Sequence, residues 1–142
     1  MTAVIACELC VPQQDPVWRN DQFTVILVDD ANYPGFCRVI WNTHAKEMSD
    51  LTAAERVTIM DAVNQVELAQ RAVLNADKIN LASLGNVVPH LHWHVIPRFA
   101  DDAHFPNPVW AQAVRTPDPA TLAARRALLP QLSAAIVQRL TS

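Results

Sequence analysis

Three histidines alternate with apolar residues in the segment His90-Leu91-His92-Trp93-His94. Successive side chains of a β-strand point to opposite faces, so a strand here would project all three imidazoles on one side and Leu91 and Trp93 on the other. The chain has only 5 histidines in total, and imidazole is neither a strong strand former nor a favourable core group. The segment therefore predicts a face that binds or reacts.

Three interpretations of this imidazole face compete: a metal site, a catalytic site and a polar surface row. A surface row would favour Thr, Lys or Glu. Convergence of all three rings on one metal ion is awkward, because residues two apart on a flat strand aim in parallel. Catalysis by one imidazole with assisting neighbours fits better, since a neutral ring held through one nitrogen keeps a lone pair that can attack phosphorus. Upstream, Gly85 and Asn86 could offer an amide and a carboxamide to phosphate oxygens.

A second candidate site begins at Cys7 and Cys10, whose two-residue gap suits a metal clip or a redox pair. The total of 3 cysteines is odd and argues against a disulfide framework. His44 and His90 could supply two further metal ligands, the alternative being two small buried thiols and a loop histidine. A redox function is less attractive, because the pair precedes no clear strand-to-helix motif that would lower a thiol pKa.

Length and charge limit the remaining possibilities. A chain of 142 residues fits one domain. The net charge of −3 offers no general attraction to nucleic acid, whereas a small phosphorylated ligand needs only a few local donors. We find no apolar run long enough for a bilayer and no leader-like N-terminus. We therefore expect a cytoplasmic protein with neither nucleic-acid nor membrane partners.

The pattern of apolar residues predicts an α+β fold, an antiparallel sheet with one long covering helix. The capping box Thr52-Ala53-Ala54-Glu55 predicts that this helix runs from about Thr52 to about Asn75. Turn residues around Pro34-Gly35 predict that the first two strands form an antiparallel pair. Cys37 lies in the second of these strands and is expected in the core. Strands are predicted at residues 23–28, 36–41, 78–82 and 91–99.

Beyond Arg98 the chain is rich in proline, which predicts an extended arm over the surface. Asp118-Pro119 has the form of a helix N-cap followed by a favoured first residue, and 120–129 is strongly helix-forming until Pro130. We therefore expect a terminal helix pair with a kink or break. The predicted organisation is a core domain at 1–105 and an arm with a helical extension at 106–142, packed on the same domain.

Taken together, these motifs resemble the histidine triad (HIT) superfamily. Its signature of histidines alternating with hydrophobic residues is matched by His90–Ile96, and 80–90 resembles the family's usual approach to the triad. His44 and Leu51 are further matches. The resemblance covers roughly residues 5 to 100.

The resemblance implies a HIT-like fold, usually a homodimer, with hydrolase or transferase activity at the α-phosphate of a nucleotide. The substrate would be a dinucleoside polyphosphate such as diadenosine tetraphosphate, or a nucleoside phosphoramidate. His92 would form a covalent nucleotidyl intermediate that water cleaves, His94 would contact the phosphate or leaving group, and His90 would support the site or bind metal. The expected substrate-binding residues are Asn86, Gly85, Asp29 and Asn80.

By resemblance to some bacterial members of the family, we expect a structural zinc ion held by Cys7, Cys10, His44 and His90. We expect no organic cofactor. The chain also departs from the family pattern. Phe36 stands where many members carry a fourth histidine, Asn86 replaces Gln, Val87 replaces Ser or Thr, and Leu81 replaces Gly. These departures put the substrate in doubt and leave the nucleophile intact.

Two questions stay open at the level of sequence. Trp110 or Trp41 could stack on a base, although packing is the commoner role of such a residue. The alternative to an enzyme is a nucleotide- or metal-binding regulatory module that keeps the fold without turnover. The intact His92 favours the enzyme.

Overall fold

The computed structural model describes residues 7–141. Three predictions include positions outside this range: the domain that begins at residue 1, the extension that ends at residue 142 and the resemblance that begins at residue 5. Within it, five strands form one antiparallel sheet in the order β1-β2-β3-β5-β4. The strands are β1 (Trp18–Arg19), β2 (Phe23–Leu27), β3 (Cys37–Trp41), β4 (Lys78–Ala82) and β5 (His92–Arg98).

The four strands expected from the sequence are confirmed, as is the antiparallel pairing of β2 with β3, in which Val25 lies opposite Val39. Cys37 is buried in the core, as expected. Two differences matter. β1 has 2 residues, too few to carry a local pattern, and exists through its pairing with β2. β5 begins at His92, so His90 and Leu91 precede the strand.

The long helix α1 (Ala53–Leu74) confirms the predicted capping box. The Thr52 hydroxyl accepts the Glu55 amide at 3.2 Å, and the Glu55 carboxylate accepts the Thr52 amide at 2.8 Å, so two amides at the helix start are satisfied. The helix ends at Asn75, whose φ of 52° places it in the left-handed region. Its buried face comprises Ile59, Ala62, Val63, Val66, Ala69, Gln70 and Leu74.

A buried glutamine joins α1 to the sheet. The Gln70 side-chain amide donates to the carbonyl oxygens of Gly35 at 2.8 Å and Val95 at 2.9 Å. Gly35 has a φ of 93°, and a Cβ at this position would lie 2.5 Å from a methyl group of Leu74. Glycine therefore permits both the turn and the close approach of the helix. These bonds fix the helix against β5, the strand that carries the histidines.

Two C-terminal helices follow the arm, α2 (Pro119–Arg126) and α3 (Leu129–Thr141). The predicted break between them is confirmed but falls earlier than expected, before Pro130. This proline lies in the first turn of α3, where its missing N–H breaks no helical hydrogen bond. Leu132 and Ile136 of α3 are fully buried and belong to the same hydrophobic core as α1. No helix in residues 7–141 is both long and apolar enough to cross a bilayer.

The arm is fastened to the end of β5 by Asp102, which is 1% exposed. Its carboxylate accepts the Arg98 guanidinium at 2.8 and 3.1 Å and the backbone amides of Phe99, His104 and Phe105 at 2.7–3.0 Å. Burial raises the pKa of Asp102, but the bonds from Arg98 and the three amides outweigh it and hold the pKa well below its usual range. The ionised carboxylate thus sets the path of the arm.

We expect Asp102→Asn to destabilise the protein by about 3 kcal/mol at neutral pH, because it leaves Arg98 buried without its counter-charge. A carboxylate with a lowered pKa in the folded state stabilises above its unfolded pKa and loses this effect as the pH falls through the folded value. The difference between the two proteins should therefore shrink below about pH 4. Urea unfolding across pH measures this. The control is Asp101→Asn, because Asp101 pairs with Arg125 at the surface; an equal loss in both variants would contradict the assignment.

Candidate active site

Two of the three triad histidines face one another in the middle of the sheet. β5 lies between β3 and β4, and His92 is opposite Ile40, whereas His94 is opposite Arg38 on one side and Ala82 on the other. The His92 and His94 ring centroids are 4.9 Å apart, with the rings nearly perpendicular. Both side chains are buried among neighbouring residues. The sheet therefore presents a pair of imidazoles in a fixed mutual orientation.

The hydrogen bonds of His92 determine which nitrogen can react. Nδ1 lies 2.6 Å from the carbonyl oxygen of His90, and because a carbonyl only accepts, Nδ1 must carry the proton. The lone pair is then on Nε2. Ser83 donates to the carbonyl of His92 itself at 3.0 Å and steadies the backbone there. Burial lowers the pKa of His92, and the positive charge of Arg38 acts in the same direction, so the ring is neutral at physiological pH.

His94 is also a neutral imidazole. Burial, followed by the charges of His92 and Arg38, lowers its pKa to about 4. Phe36 and Trp110 both pack edge-on against the ring, with centroids 5.7 and 5.4 Å away. Phe36, at the position where the sequence suggested a missing fourth histidine, thus forms part of the apolar surroundings of His94. A ring in this state can form a hydrogen bond to a phosphate, but it is not a reservoir of positive charge.

His90 points away from this pair. Its Nε2 lies 2.5 Å from the carbonyl oxygen of Trp41 and must therefore carry the proton, which leaves the lone pair on Nδ1. That nitrogen faces the sulfur atoms of Cys7 and Cys10, each at 3.4 Å, and Nδ1 of His44 at 3.3 Å. The expectation that all three imidazoles share one face is thus wrong for His90, because the chain has not yet entered the strand at this residue.

These four side chains form a compact donor set. Their ligand atoms all lie within 4.8 Å of one another, and Cys10 Sγ is 3.3 Å from His44 Nδ1. Around a tetrahedral zinc ion, separations of about 3.4 Å between nitrogens and about 3.6 Å between nitrogen and sulfur are expected. Two cysteines and two histidines are also the ligands of a closed structural zinc site. The cluster therefore fits a zinc ion in both chemistry and spacing.

A pocket of about 390 Å³ opens over His92 and His94. Gly85, with a φ of 71°, turns the loop between β4 and β5 along one side of this pocket, where only glycine is free of strain. Trp110 of the arm forms another part of the wall and is 53% exposed. The lining residues are Glu8, Leu9, Arg38, Leu84, Gly85, Asn86, Val87, Val88, His92, His94 and Trp110.

A family model described as "HIT domain" matches residues 12–101, well over half of the chain. The chain belongs to the HIT domain family. An uncharacterised HIT-like protein, SSO2163 of Saccharolobus solfataricus, is 28% identical over 91 residues. That match covers 61% of this chain and 66% of the relative, slightly less than two thirds of the relative's length.

Solved structures show the same HIT fold. Histidine triad protein blr8122 from Bradyrhizobium japonicum is 30% identical, with a TM-score of 0.66, covering 82% of this chain and 87% of that one. A zinc-bound histidine triad family protein from Mycobacterium smegmatis is 25% identical, with a TM-score of 0.55, covering 84% and 86% of the two chains. The resemblance to the histidine triad superfamily is thus confirmed, together with the α+β fold.

The substrate-binding residues expected in this HIT domain lie in different places. Gly85 and Asn86 line the pocket. Asp29 is exposed and is not among the lining residues. Asn80 accepts a hydrogen bond from Arg98 at 2.7 Å, so its carboxamide oxygen is engaged at the end of β5. The roles of all four stay predictions. Of the two tryptophans considered for base stacking, Trp41 is buried in the core and Trp110 reaches the pocket.

Two residues next to the histidines of this HIT domain were missed by sequence reasoning. Ser83 holds the backbone of His92, and Arg38 brings a positive charge beside His94. The sequence did contain a signal for Arg38. This residue lies between Cys37 and Val39, and strand alternation directs its side chain to the face opposite the core. Sequence alone could not show that this face also carries the histidines.

Proposed function

We propose that this HIT-domain protein is a nucleotide hydrolase or transferase that attacks the α-phosphate of its substrate with His92. The supporting observation is the hydrogen bond from His92 Nδ1 to the His90 carbonyl, which leaves Nε2 with a lone pair. The lowered pKa of His92 keeps that lone pair free of a proton. A neutral, oriented imidazole lining a pocket is the arrangement that nucleophilic catalysis requires.

The proposed reaction has two displacements. In the first, the lone pair of His92 Nε2 forms a bond to the α-phosphorus, and the bond from phosphorus to the leaving group breaks with the electron pair going to the leaving atom. The ring becomes an N-phosphorylated imidazolium, whose Nδ1–H donates to the His90 carbonyl. In the second, a water oxygen attacks phosphorus, the P–Nε2 bond breaks, His92 regains its lone pair and the proton of water passes to solvent. Another nucleophile in place of water would give a transferase.

The loop before β5 completes the proposed site. Gly85 and Asn86 would offer an amide and a carboxamide to the non-reacting phosphate oxygens, where charge builds up during attack. His94 would form a hydrogen bond to the phosphate. Asp29 and Asn80 are retained as candidates for binding the ribose and the rest of the nucleotide. Diadenosine tetraphosphate and adenosine phosphoramidate are the proposed test substrates.

We expect His92→Asn to abolish turnover, by at least about a thousandfold, while thermal unfolding shows an intact fold. Asparagine can keep a hydrogen bond to the His90 carbonyl but offers no lone pair basic enough to attack phosphorus. Product release is measured by chromatography, and rapid quenching followed by mass spectrometry detects the nucleotidyl adduct on His92 in the unmodified protein.

Full turnover in the His92→Asn variant would contradict the mechanism. If the unmodified protein binds nucleotide but gives neither product nor adduct, the alternative of a non-catalytic regulatory module is supported instead.

We also propose a structural zinc ion held by Cys7, Cys10, His44 and His90. The zinc-bound HIT structure from Mycobacterium smegmatis gives this proposal a precedent within the fold. Bound zinc would cross-link three parts of the chain: the N-terminal turn that carries both cysteines, the loop around His44, and His90. Within the turn, the Cys10 amide donates to the Cys7 carbonyl at 3.2 Å. Because four protein ligands leave no open position, the site would not activate water.

We expect one zinc per chain in freshly purified, tag-free protein, and we expect its loss in Cys7→Ala, with a lower melting temperature and lower kcat. The fall in kcat follows because a loosened His90 no longer holds its carbonyl firmly against His92. Cys37→Ala is the matched control, since Cys37 is the buried cysteine on β3 and lies outside the cluster; it should retain zinc. Elemental analysis that finds no zinc in the unmodified protein would contradict the proposal.

A homodimer remains our proposal for the assembly. In the described residues β4 ends the sheet, and its Leu81 is 42% exposed; an uncovered strand edge with an apolar side chain is suited to pairing with another chain. We expect sedimentation to give a dimer, and Leu81→Lys to shift it toward monomer, whereas the control Val57→Lys on the exposed face of α1 should not. A monomeric unmodified protein would contradict the dimer.

The cytoplasmic location stays a prediction, as does the division of the chain at residue 105 into a core domain and an extension.

A further inference from the structure

Arg38 is a charged residue of the pocket that the mechanism has not used. It lies on β3 directly opposite His94 and lines the pocket together with both histidines. Its Nε atom is buried and has no hydrogen-bond partner within residues 7–141. A buried N–H of a guanidinium is costly to leave unsatisfied, so this atom indicates a place where a bound group completes the hydrogen bonding.

The charges around Arg38 favour an anionic partner. Of the pocket residues, the other with a permanent charge is Glu8, which is exposed. Within residues 7–141, the ion pairs described are those of Arg98 with Asp102 and of Arg125 with Asp101, and neither involves Arg38. Arg38 is therefore a cation available to a ligand, and guanidinium binds phosphate through paired, charge-assisted hydrogen bonds.

We propose that Arg38 binds a phosphate of the leaving group and thereby selects substrates whose leaving group is an anionic phosphate over those that release an amine. The proposal rests on nucleotidyl transfer by His92. It adds a specificity-determining residue on β3 to the histidines of β5 and the loop before that strand.

The position of Arg38 suits contact with the leaving group. On β3, the residue opposite the nucleophile His92 is Ile40, whose side chain is apolar. The positively charged Arg38 lies two residues before Ile40 on the same strand, opposite His94. A phosphate bound there would lie beside the reacting phosphorus, with Arg38 compensating the charge that develops on it. The α-phosphoryl group itself has Gly85 and Asn86 for its oxygens.

The chemistry of the two leaving groups differs in its demand for a proton. When the P–O bond of a polyphosphate breaks, the departing oxygen keeps the electron pair and is stable as an anion beside a cation. When a P–N bond breaks, the departing nitrogen must gain a proton. His94, with its pKa lowered to about 4, carries no extra proton at neutral pH, and a guanidinium does not release one. The pocket is thus matched to the first reaction.

The test compares kcat/KM for diadenosine tetraphosphate and adenosine 5′-phosphoramidate in the full-length protein. We expect Arg38→Gln to lower the value for the tetraphosphate by about 10- to 100-fold, and for the phosphoramidate by less than about threefold. Arg38→Lys should fall between, because an ammonium keeps the charge but loses the paired geometry. The matched control is Arg19→Gln, an exposed arginine on β1 outside the pocket, which should leave both values unchanged.

An equal loss with both substrates would place Arg38 at the α-phosphoryl group and overturn the proposal, as would no loss with either. If the unmodified protein turns over neither substrate, the proposed function fails, and calorimetric binding of inorganic tripolyphosphate then tests Arg38 by itself. Binding that is at least tenfold weaker in Arg38→Gln supports a phosphate site at this residue. Equal binding in the two proteins overturns it.

Discussion

The hydrogen bond between the ring of His92 and the carbonyl of His90 joins the two candidate sites of this molecule. On one side of the bond is the proposed nucleophile, whose tautomer and orientation depend on it. On the other side is a residue whose own ring is fixed, through one nitrogen to Trp41 and through the other toward two cysteines and His44. A short backbone segment thus connects a candidate metal cluster to a candidate catalytic centre. Neighbouring histidines of one motif thus lie in different surroundings, because their backbone and side-chain groups face different partners.

The remaining architecture limits how far β5 can move around this bond. Gln70 of α1 holds the carbonyl of Val95, Ser83 holds that of His92, and Asp102 fixes the chain where β5 ends. Each contact is made by a polar group at or near the buried strand. Breaking one of these bonds would leave a buried polar group without its partner, which is costly, so the bonds restrict β5 to one position. A nucleophile that must be held within a fraction of an ångström benefits from a support of this kind.

The elements that sequence reasoning predicted are those with local signals. The capping box at Thr52, the turn at Pro34-Gly35 and the apolar runs of the strands act over a few residues, and all are confirmed. The rings of His90 and His92 lie in different places because β5 starts only at His92. The start of β5 is decided by its pairing with β3. The unsatisfied Nε of Arg38 likewise depends on the segments, distant in sequence, that surround it. Alternation could therefore locate the reactive face, but it could not assign the individual rings.

The wall formed by Trp110 has an evolutionary consequence. This residue lies beyond residues 12–101, the part of the chain that matches the HIT domain, and it reaches the pocket on an arm tied down by Asp102. Relatives could lengthen, shorten or rebuild such an arm without disturbing the triad or the sheet. Selection can then act on the shape of the pocket separately from selection on the histidines, so new ligand preferences can arise while the strand that carries them stays constant.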